Sequence, residues 1–297
     1  MIVDGVLVVD KPGGMTSHDV VAAVRRIAGH RRVGHAGTLD PDATGVLVVC
    51  LGRATRLVPY LQASTKTYDA RVRLGVETTT LDASGEVTAQ RDASAVDEVR
   101  LCEALKSFVG EIEQVPPMVS AVKVGGERLY KKARRGEIVE RPPRKVQIHD
   151  IVLEDFEPGP RAEAAFLVTC SSGTYIRTLA ADVGERLGVG AHLATLRRLA
   201  SGRFSLEDAV ELSKLRELGV AGQLAEAILT PAEAVADYPS MTVDSQAARD
   251  VTNGRPLAAT GITGPVAVLD VRGNLLAMVS DRDSRARPLI VLGTAGP

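Results

Sequence analysis

The sequence predicts an α+β protein with a mixed, mainly antiparallel central sheet, flanking helices and a small β-rich C-terminal region. Stretches with strand periodicity and stretches with helical periodicity are mixed, without the regular βαβ repeat of a doubly wound fold. The 297 residues are 45% hydrophobic, which is enough for one large core or two unequal domains. From about Pro239 onward, short apolar runs separated by turn residues indicate a β-rich module.

Two elements are predicted before residue 30. Val6–Val9 has the length and apolar character of a short buried strand. A helix then begins at a cap formed by Thr16 or Ser17 and ends at Gly29. The apolar residues of this helix recur at helical spacing: Val20, Val21, Val24 and Ile27. Four basic residues near its end lead into the next loop: Arg25, Arg26, Arg31 and Arg32.

The middle of the chain continues with strands and helices. Val46–Leu51 is an unbroken apolar run of strand length, and Tyr68–Leu74 alternates with the period of two that is typical of a half-buried strand. The remaining predicted elements are a helix over Asp97–Val109 ended by Gly110, strands over Val146–Leu153 and Ala164–Cys170, and a helix over Tyr175–Leu187 ended by Gly188.

A further helix start is predicted at Thr230, with threonine as the cap, Pro231 at the first helical position and Glu233 three residues after the cap. The β-rich module follows. Its predicted elements are a helix over Ser245–Thr252 closed by Asn253-Gly254, strands over Pro265–Leu269 and Leu275–Ser280 around an Arg-Gly-Asn turn, and a last strand over Pro288–Leu292.

The loop from Gly34 to Gly45 reads G-H-A-G-T-L-D-P-D-A-T-G and presents one carboxylate from a rigid support. Its three glycines permit unusual backbone angles or close approaches, and Pro41 pushes Asp40 toward extended geometry. The loop leads into a predicted buried strand, and functional residues are often carried on such loops. The alternative is an ordinary surface turn, with Asp40 at its first position and proline at its second.

Charge is segregated along the chain although the net charge is only −1. Residues 123–145 contain nine Lys or Arg and three Glu, a local charge of +6, and residues 205–245 contain two basic and eight acidic residues, a local charge of −6. The basic segment is flanked by Pro116-Pro117 and Pro142-Pro143, as expected of an insertion between two regular elements. A segment of this kind could bind phosphates, and a solvated basic loop is the alternative.

Several classes of protein are disfavoured. Asp4 and Asp10 stand where a secretory signal would have basic residues, and no apolar run is long enough to span a bilayer, so we expect a cytoplasmic protein. Three separated cysteines, Cys50, Cys102 and Cys170, are expected to be ordinary buried thiols. The five-residue spacings of His30, His35 and Asp40 do not place two ligands on one helix face, and no metal site is predicted.

The loop, together with Lys11-Pro12 upstream and the string S-G-T-Y-I-R at 172–177 downstream, resembles the TruB-type family of bacterial tRNA pseudouridine synthases. The likeness runs from about Val6 to Leu199 with the motifs in the same order. Members of this family modify uridine-55 in the T-loop of tRNA. The resemblance implies the pseudouridine synthase fold. It also implies that residues 1–238, which precede the change in character near Pro239, are the catalytic domain and that residues 239–297 are a PUA-like RNA-binding domain. Within the catalytic domain, the charge and the flanking prolines of the basic segment predict an inserted RNA clamp over about 116–145.

The resemblance also assigns catalytic residues. Asp40 matches the family's catalytic aspartate and is the candidate nucleophile, and Arg177 matches the arginine that pairs with it. Tyr68 matches the tyrosine that stacks on the uracil and is placed to act in proton removal. For Tyr68, core packing is the ordinary alternative. Pseudouridine formation breaks the C1′–N1 bond and joins C1′ to C5 of the same base, so it needs a carboxylate, an orienting cation and a base.

Further residues are expected in the substrate pocket. His35 matches the histidine that helps the target nucleotide leave the T-loop stack, and Tyr175 resembles another pocket residue. Leu196 resembles the family's apolar pocket residue, with a core leucine as the alternative, and Lys11 resembles a pocket-supporting residue. Asp42 matches no family role and is expected to serve the turn.

The expected partner is the T-arm of tRNA, with no membrane, no cofactor and no obligatory protein partner. Four residues of the basic segment are expected to contact the RNA backbone: Lys131, Lys132, Arg134 and Arg135. A tRNA-binding folding chaperone with incidental catalysis is a second hypothesis. A nucleotide-dependent enzyme is a third, weakened because the chain has no G-x-x-x-x-G-K-[ST] and no G-x-G-x-x-G at a strand–helix junction.

Overall fold

The computed structural model describes residues 4–118, 123–124, 127–128, 135, 137 and 139–293. The chain forms two compact units. Unit 1 comprises Met1–Pro41, Gly45–Ala63 and Arg203–Pro297, and unit 2 comprises Asp42–Thr44 and Ser64–Gly202. Within the described residues, no helix has the length and apolar character needed to cross a bilayer.

Helices and strands of the described residues are numbered in chain order. The α-helices are α1 (Ser17–Ile27), α2 (Val58–Gln62), α3 (Glu98–Lys106), α4 (Ile176–Leu187), α5 (Leu212–Ala221), α6 (Pro231–Ala234) and α7 (Ser245–Thr252). The first strands are β1 (Gly5–Lys11), β2 (Val33–His35), β3 (Thr44–Leu51), β4 (Lys66–Leu74), β5 (Val76–Thr78), β6 (Val87–Gln90), β7 (Gly110–Gln114), β8 (Lys123–Val124), β9 (Glu127–Arg128) and β10 (Arg144–Glu157). The others are β11 (Glu163–Cys170), β12 (Ala191–Ser201), β13 (Phe204–Ser205), β14 (Val210–Glu211), β15 (Ser240–Thr242), β16 (Leu257–Ala258), β17 (Val266–Leu269), β18 (Leu275–Arg282) and β19 (Arg285–Val291).

In unit 1, strand β1 lies between β14 and β3. It pairs parallel with β14 and antiparallel with β3, where Lys11 is opposite Gly45, and β2 pairs antiparallel with β3. Alternate residues of β1 enter different hydrophobic clusters: Val6 and Val8 pack into one, and Leu7 and Val9 into another that includes α1. Both faces of these strands are therefore buried, which explains why their sequences are continuously apolar.

Residues 240–291 of unit 1 form a separate sheet of five strands in the order β15-β17-β18-β19-β16. β15 pairs parallel with β17, and the other pairs are antiparallel. Helix α7 contributes Val251 to the cluster on one face of this sheet. The predicted β-rich C-terminal region is therefore confirmed.

In unit 2, five strands lie in the order β12-β4-β11-β10-β7, and every neighbouring pair is antiparallel. Along β4, the buried residues alternate with more exposed ones. Helix α4 buries an apolar side that includes Leu179, Ala180 and Val183. The predicted α+β class with a mainly antiparallel sheet is confirmed.

Some local predictions differ from the structure. No element is predicted over Ala191–Ser201, yet this segment is strand β12, because pairing with β4 overrides its mixed local pattern. The predicted helix over Asp97–Val109 ends earlier, at Lys106, and Gly110 begins β7. Thr230 caps α6 in the predicted capping box, but the helix is only four residues long. Cys50 and Cys170 are buried as predicted, whereas Cys102 is half-buried.

Candidate active site

The loop that carries Asp40 is fixed on both sides of this residue by hydrogen bonds to its backbone. On one side, the amide of Leu39 donates to Ser17 Oγ at 2.8 Å, and Ser17 Oγ donates to the carbonyl of Leu39 at 3.0 Å. On the other side, Lys11 Nζ donates to the carbonyl of Pro41 at 2.8 Å. Asp40 itself is half-buried. The two contacts restrict the backbone on either side of Asp40 and therefore the position from which its side chain projects.

Ser17 is available for this contact because its neighbour caps the helix. The side chain of Thr16 accepts from the backbone of Asp19, and the Asp19 carboxylate accepts from the backbone of Thr16, which completes a capping box at the start of α1. Of the two predicted caps, Thr16 is therefore the one used. The role of Ser17 in the loop is not predictable from local sequence, because Ser17 and Leu39 are 22 residues apart.

Lys11 is fully buried at the end of β1. Besides the Pro41 carbonyl, its ammonium group donates to the carbonyl of Pro12 at 2.8 Å. A buried ammonium needs such acceptors, since a buried charge without them is costly. Lys11 therefore connects the end of β1 to the residue after Asp40.

Replacing Lys11 by Met should destabilise the protein and loosen the loop. Methionine fills a similar volume but cannot donate, so the two carbonyls lose their donor at a cost of about 1–3 kcal/mol. Urea unfolding of the purified variant measures this loss. Lys214→Met is a suitable control, because Lys214 is exposed and its ion pair with Glu217, three residues away, lies on the surface. Equal unfolding free energies for the two variants would contradict the role given to Lys11.

His35 lies at the end of β2, opposite Val49 of β3. The imidazole rings of His35 and His18 are in an edge-to-face arrangement, with 5.3 Å between ring centres and 79° between ring planes. His18 belongs to α1 and carries no sequence motif that would have identified it. The ring of His35 is thus oriented by a second histidine from the same unit.

Two of the three loop glycines have backbones that favour glycine. Gly37 has φ = 112° and Gly45 has φ = 98°, in the region that side chains disfavour. Gly34 is not among the residues with positive φ, and a Cβ atom there would approach no atom closer than 4.0 Å. The prediction that all three glycines serve an unusual backbone therefore holds for Gly37 and Gly45, but not for Gly34.

In unit 2, Arg177 lies in the first turn of α4 and is only 4% exposed. Its Nη1 atom donates to the carbonyl of Thr80 and to Asp82 Oδ2, both at 3.2 Å. The ion pair with Asp82 was not predicted from the sequence. It fixes one edge of the guanidinium plane, and a planar group fixed at one edge presents its other donors in a defined direction.

Asp82 is itself held in the loop between β5 and β6. Its Oδ1 atom accepts from Thr80 Oγ1 at 2.6 Å, from Ser84 Oγ at 2.5 Å and from the Ser84 amide at 3.0 Å. Burial raises the pKa of Asp82, but the hydrogen bonds from Ser84 and Thr80 and the charge of Arg177 outweigh it, and the pKa is lowered overall. Asp82 is therefore ionised at neutral pH and can pair with Arg177.

Tyr175 precedes α4 and is half-buried. The side-chain amide of Gln114 forms two hydrogen bonds with its backbone: the Tyr175 amide donates to Gln114 Oε1 at 2.9 Å, and Gln114 Nε2 donates to the Tyr175 carbonyl at 3.3 Å. Gln114 is almost fully buried at the end of β7. It connects the start of α4 to the sheet, and sequence reasoning did not identify it.

Tyr68 and Leu196 lie on the same face of the sheet in unit 2. In the β4–β12 pair, Tyr68 is opposite Arg198 and Ala70 is opposite Leu196. Opposite residues share a face, as do residues two apart on one strand, so the Tyr68 and Leu196 side chains are diagonal neighbours. Tyr68 is 8% exposed and Leu196 is half-buried. The structure therefore brings these two predicted pocket residues together.

Two buried cations that were not predicted accompany Tyr68 on this face. Arg198 is opposite Tyr68, and Lys66 is two residues before it on β4. Burial, with a contribution from the charge of Arg198, lowers the pKa of Lys66 to about 8. The surroundings of Tyr68 are thus more polar than those of a purely structural core residue.

The basic segment falls largely outside the described residues. Lys131, Lys132 and Arg134 lie outside them, and Arg135 is exposed, with its Nε atom 2.7 Å from Glu137 Oε1. In the part of the chain that the structure describes, no group of three or more His, Cys, Asp or Glu side chains is arranged to hold a metal ion.

Comparison with known proteins identifies the family. Residues 25–176 match the family model described as the N-terminal domain of TruB family pseudouridylate synthases. Over 293 residues the chain is 47% identical to tRNA pseudouridine synthase B of Thermobifida fusca, covering 97% of this chain and 98% of that protein. The chain belongs to the TruB family of pseudouridylate synthases. The resemblance found in the sequence is therefore confirmed.

Other matches extend the TruB-family assignment along the chain. Residues 177–236 match the tRNA pseudouridylate synthase B C-terminal domain, and residues 238–293 match the C-terminal domain of tRNA pseudouridine synthase II. The tRNA pseudouridine synthase B of Symbiobacterium thermophilum is 54% identical over 252 residues, which cover 85% of this chain and 82% of that protein. A solved structure described as a Cbf5-Nop10-Gar1 complex contains a chain that is 30% identical with a TM-score of 0.77, covering 98% of this chain and 85% of that one.

Proposed function

We propose that this TruB-family protein isomerises uridine-55 in the T-loop of tRNA to pseudouridine, with Asp40 as the nucleophile and the target uridine flipped out of its stack. Its relatives from T. fusca and S. thermophilum are named tRNA pseudouridine synthase B, which supports tRNA as the substrate. The observation that carries the proposal is the fixation of Leu39 and Pro41 on either side of Asp40. A nucleophile needs such positioning for reaction in a defined geometry.

The reaction can be written as a series of steps that begins with Asp40. The Asp40 carboxylate attacks the flipped nucleotide, at C1′ or at C6 of the base, and the C1′–N1 bond breaks while the bonding electrons pass to the uracil. The detached uracil turns, and a bond forms between C1′ and C5. When Asp40 is bound to C1′, its bond breaks as the bond between C1′ and C5 forms, and when it is bound to C6, its bond breaks after C1′ has joined C5; either way the carboxylate is regenerated. The proton on C5 is removed by the base and N1 takes up one proton, so atoms and charge balance without an oxidant or a second substrate.

Arg177 is proposed to orient the Asp40 carboxylate and to keep it ionised at neutral pH. The contacts of Arg177 with Thr80 and Asp82 support this role, because they restrict the guanidinium to one orientation. Tyr68 is proposed to stack on the uracil and to act in removal of the C5 proton, while Leu196 and Tyr175 form further walls of the pocket. The adjacent positions of Tyr68 and Leu196 on one face support a shared role.

His35 is proposed to help the target nucleotide leave the T-loop stack. A nucleotide inside a folded loop cannot expose its reacting carbon, so an enzyme acting there has to extrude the base. The ring contact with His18 supports this role, since an oriented imidazole is a better stacking surface than a mobile one.

The proposed domain arrangement has a catalytic domain over residues 1–238 and a PUA-like RNA-binding domain over residues 239–297. The separate sheet of β15 to β19 and the match of residues 238–293 to a C-terminal family domain support a distinct module there. The inserted segment over about 116–145 is proposed to clamp the RNA backbone. Because the proposed substrate is tRNA, we place the protein in the cytoplasm.

Product mapping tests the proposed function. The purified protein is incubated with unmodified tRNA, without added metal or nucleotide, and pseudouridine is mapped along the RNA. We expect conversion at position 55, and none when that uridine is replaced by cytidine. Conversion at other uridines of the same tRNA, with none at position 55, would contradict the proposed target.

Reversing the charge of the basic segment should weaken tRNA binding. With Lys131, Lys132, Arg134 and Arg135 changed to Glu, we expect lower affinity and a flatter dependence of affinity on salt, because fewer counterions are released. Filter binding over a salt series measures both quantities. Reversal of Lys214 and Arg216, which lie in the acidic segment, is the control. Unchanged affinity across the series would remove the clamp from the proposal.

A further inference from the structure

The C-terminal module shares a hydrophobic core with the loop that carries Asp40. One cluster of buried residues contains Ala36 from the start of the loop and Val46 from the strand that follows it. The same cluster contains Ala267, Leu275 and Met278 from strands β17 and β18 of the module. The support of the loop is therefore formed by residues more than 200 positions apart in the sequence.

The two faces of the module's sheet have different partners. Val266 and Val268 of β17 pack with α7 in the module's own cluster, whereas Ala267 between them packs in the cluster that includes the loop. This alternation follows the period of two along a strand. In β18, Leu275 enters the shared cluster and Leu276 enters the module's own cluster.

Polar contacts reinforce the same attachment. The 3₁₀ segment that follows β3 contains Arg53, whose Nε atom donates to Asp4 Oδ2 at 2.6 Å and whose Nη1 atom donates to the carbonyl of Leu292 at 2.7 Å. Arg56 of this segment donates to the carbonyl of Val291. The end of β3 is thus connected by two side chains to the last strand of the module and the residue that follows it.

Close packing at this point requires a glycine. Gly52, between β3 and Arg53, has φ = 60°, and a Cβ atom there would lie 2.0 Å from Asp4 Oδ1. A side chain at position 52 would displace the carboxylate that holds Arg53. The local backbone is therefore adapted to the contact between Asp4 and Arg53.

We propose that the C-terminal module positions the Asp40 loop, with Leu275 and Arg53 as positioning residues that act through β3 and the shared core. This inference rests on the proposed role of Asp40. In this proposal the C-terminal module affects the rate of the chemical step. This function is separate from the proposed binding of RNA by residues 239–297. Displacement of a nucleophile by a fraction of an ångström slows a reaction without weakening substrate binding.

Leu275 and Leu276 provide a matched pair for the test. They are neighbours of the same type, they are 6% and 7% exposed, and both line a cavity of about 650 Å³. They differ in the hydrophobic cluster to which each belongs: Leu275 packs in the cluster shared with the Asp40 loop, and Leu276 packs in the module's own cluster. We expect Leu275→Ala to lower the single-turnover rate of pseudouridine formation by about tenfold or more at saturating enzyme. Its tRNA affinity should be unchanged, and Leu276→Ala should keep the rate.

Melting temperatures of both variants show whether each is folded at the assay temperature. Leu275→Met, which keeps the side-chain volume, should restore the rate. If Leu275→Ala is too unstable to assay, Arg53→Gln replaces it, with the exposed Arg272→Gln as its control, and the same loss of rate without loss of affinity is expected.

Besides an unaffected rate in Leu275→Ala, two results would overturn the proposal. One is an equal loss of rate in Leu275→Ala and Leu276→Ala, which would show a general effect of lower stability. The other is a loss of tRNA affinity in Leu275→Ala with the rate intact, which would leave the module only a binding role. Asp40→Asn is measured in parallel: if it remains active, the role of Asp40 fails, whereas an inactive Asp40→Asn with an unaffected Leu275→Ala refutes only the positioning role of the module.

Discussion

Asp40→Asn is expected to abolish pseudouridine formation while the protein stays folded and binds tRNA. The amide has nearly the same shape as the carboxylate but is a very poor nucleophile, so we expect a loss of more than about 1,000-fold in the single-turnover rate. The backbone anchors at Leu39 and Pro41 do not involve the Asp40 side chain, and they should persist in the variant. The rate is measured by digesting the tRNA to nucleosides at successive times and quantifying the pseudouridine formed.

Asp42→Asn is the matched control. Asp42 lies two residues further along the same loop, is exposed and has no proposed role in the reaction. We expect it to keep most of the activity, because an exposed carboxylate can be exchanged for an amide at little cost. Substantial activity in Asp40→Asn, with tRNA binding retained, would show that another group begins the reaction.

Arg177→Lys is expected to lower the rate about 100-fold without unfolding the protein. Lysine keeps the positive charge, but it lacks the planar group whose separate donors can reach Asp82 and a second carboxylate together. The loss should appear in the chemical step and not in tRNA affinity. Single-turnover kinetics at saturating enzyme, together with equilibrium binding, separate the two.

Arg73→Lys controls for the arginine-to-lysine exchange itself. Arg73 lies on β4 in the same unit, and its ion pair with Glu163 is exposed, so the exchange should cost little in stability or rate. Similar rates for Arg177→Lys and the wild type would contradict the orienting role. A large drop in melting temperature for Arg177→Lys alone would instead assign Arg177 to the stability of the loop between β5 and β6.

The sequence predicted those parts of the fold that depend on local pattern. Thr230 is predictable as a helix cap because a capping box involves residues three apart, whereas at the first helix the sequence leaves Thr16 and Ser17 as alternative caps. β1 and β3 are predictable because strands buried on both faces are continuously apolar. The resemblance to a family added the positions of Asp40, Tyr68 and Arg177. Their roles stay predictions until the variants are measured.

The residues that were missed act through tertiary contacts. Ser17 reaches Leu39, Gln114 reaches the backbone of Tyr175, and Asp82 reaches Arg177, all across gaps that local periodicity does not detect. The run T-T-T-L-D-A-S-G at 78–85 is rich in side chains that bind nearby backbone, and this signal of a structured loop around Asp82 was not used in the prediction. It did not indicate that an arginine 95 residues further along would pair with it.

The anchors beside Asp40 have a consequence for engineering. Lys11 and Ser17 bind main-chain atoms of Pro41 and Leu39, and every amino acid offers the same carbonyl oxygen. Solvent-facing side chains of the loop, such as those of Thr38 and Asp42, can therefore be diversified in a library without removing either tie. The positions to hold constant are Asp40, Gly37 and Gly45 within the loop and Lys11 and Ser17 in the neighbouring strand and helix, so the exposed loop positions are available for new substrate contacts while the reactive group stays in place.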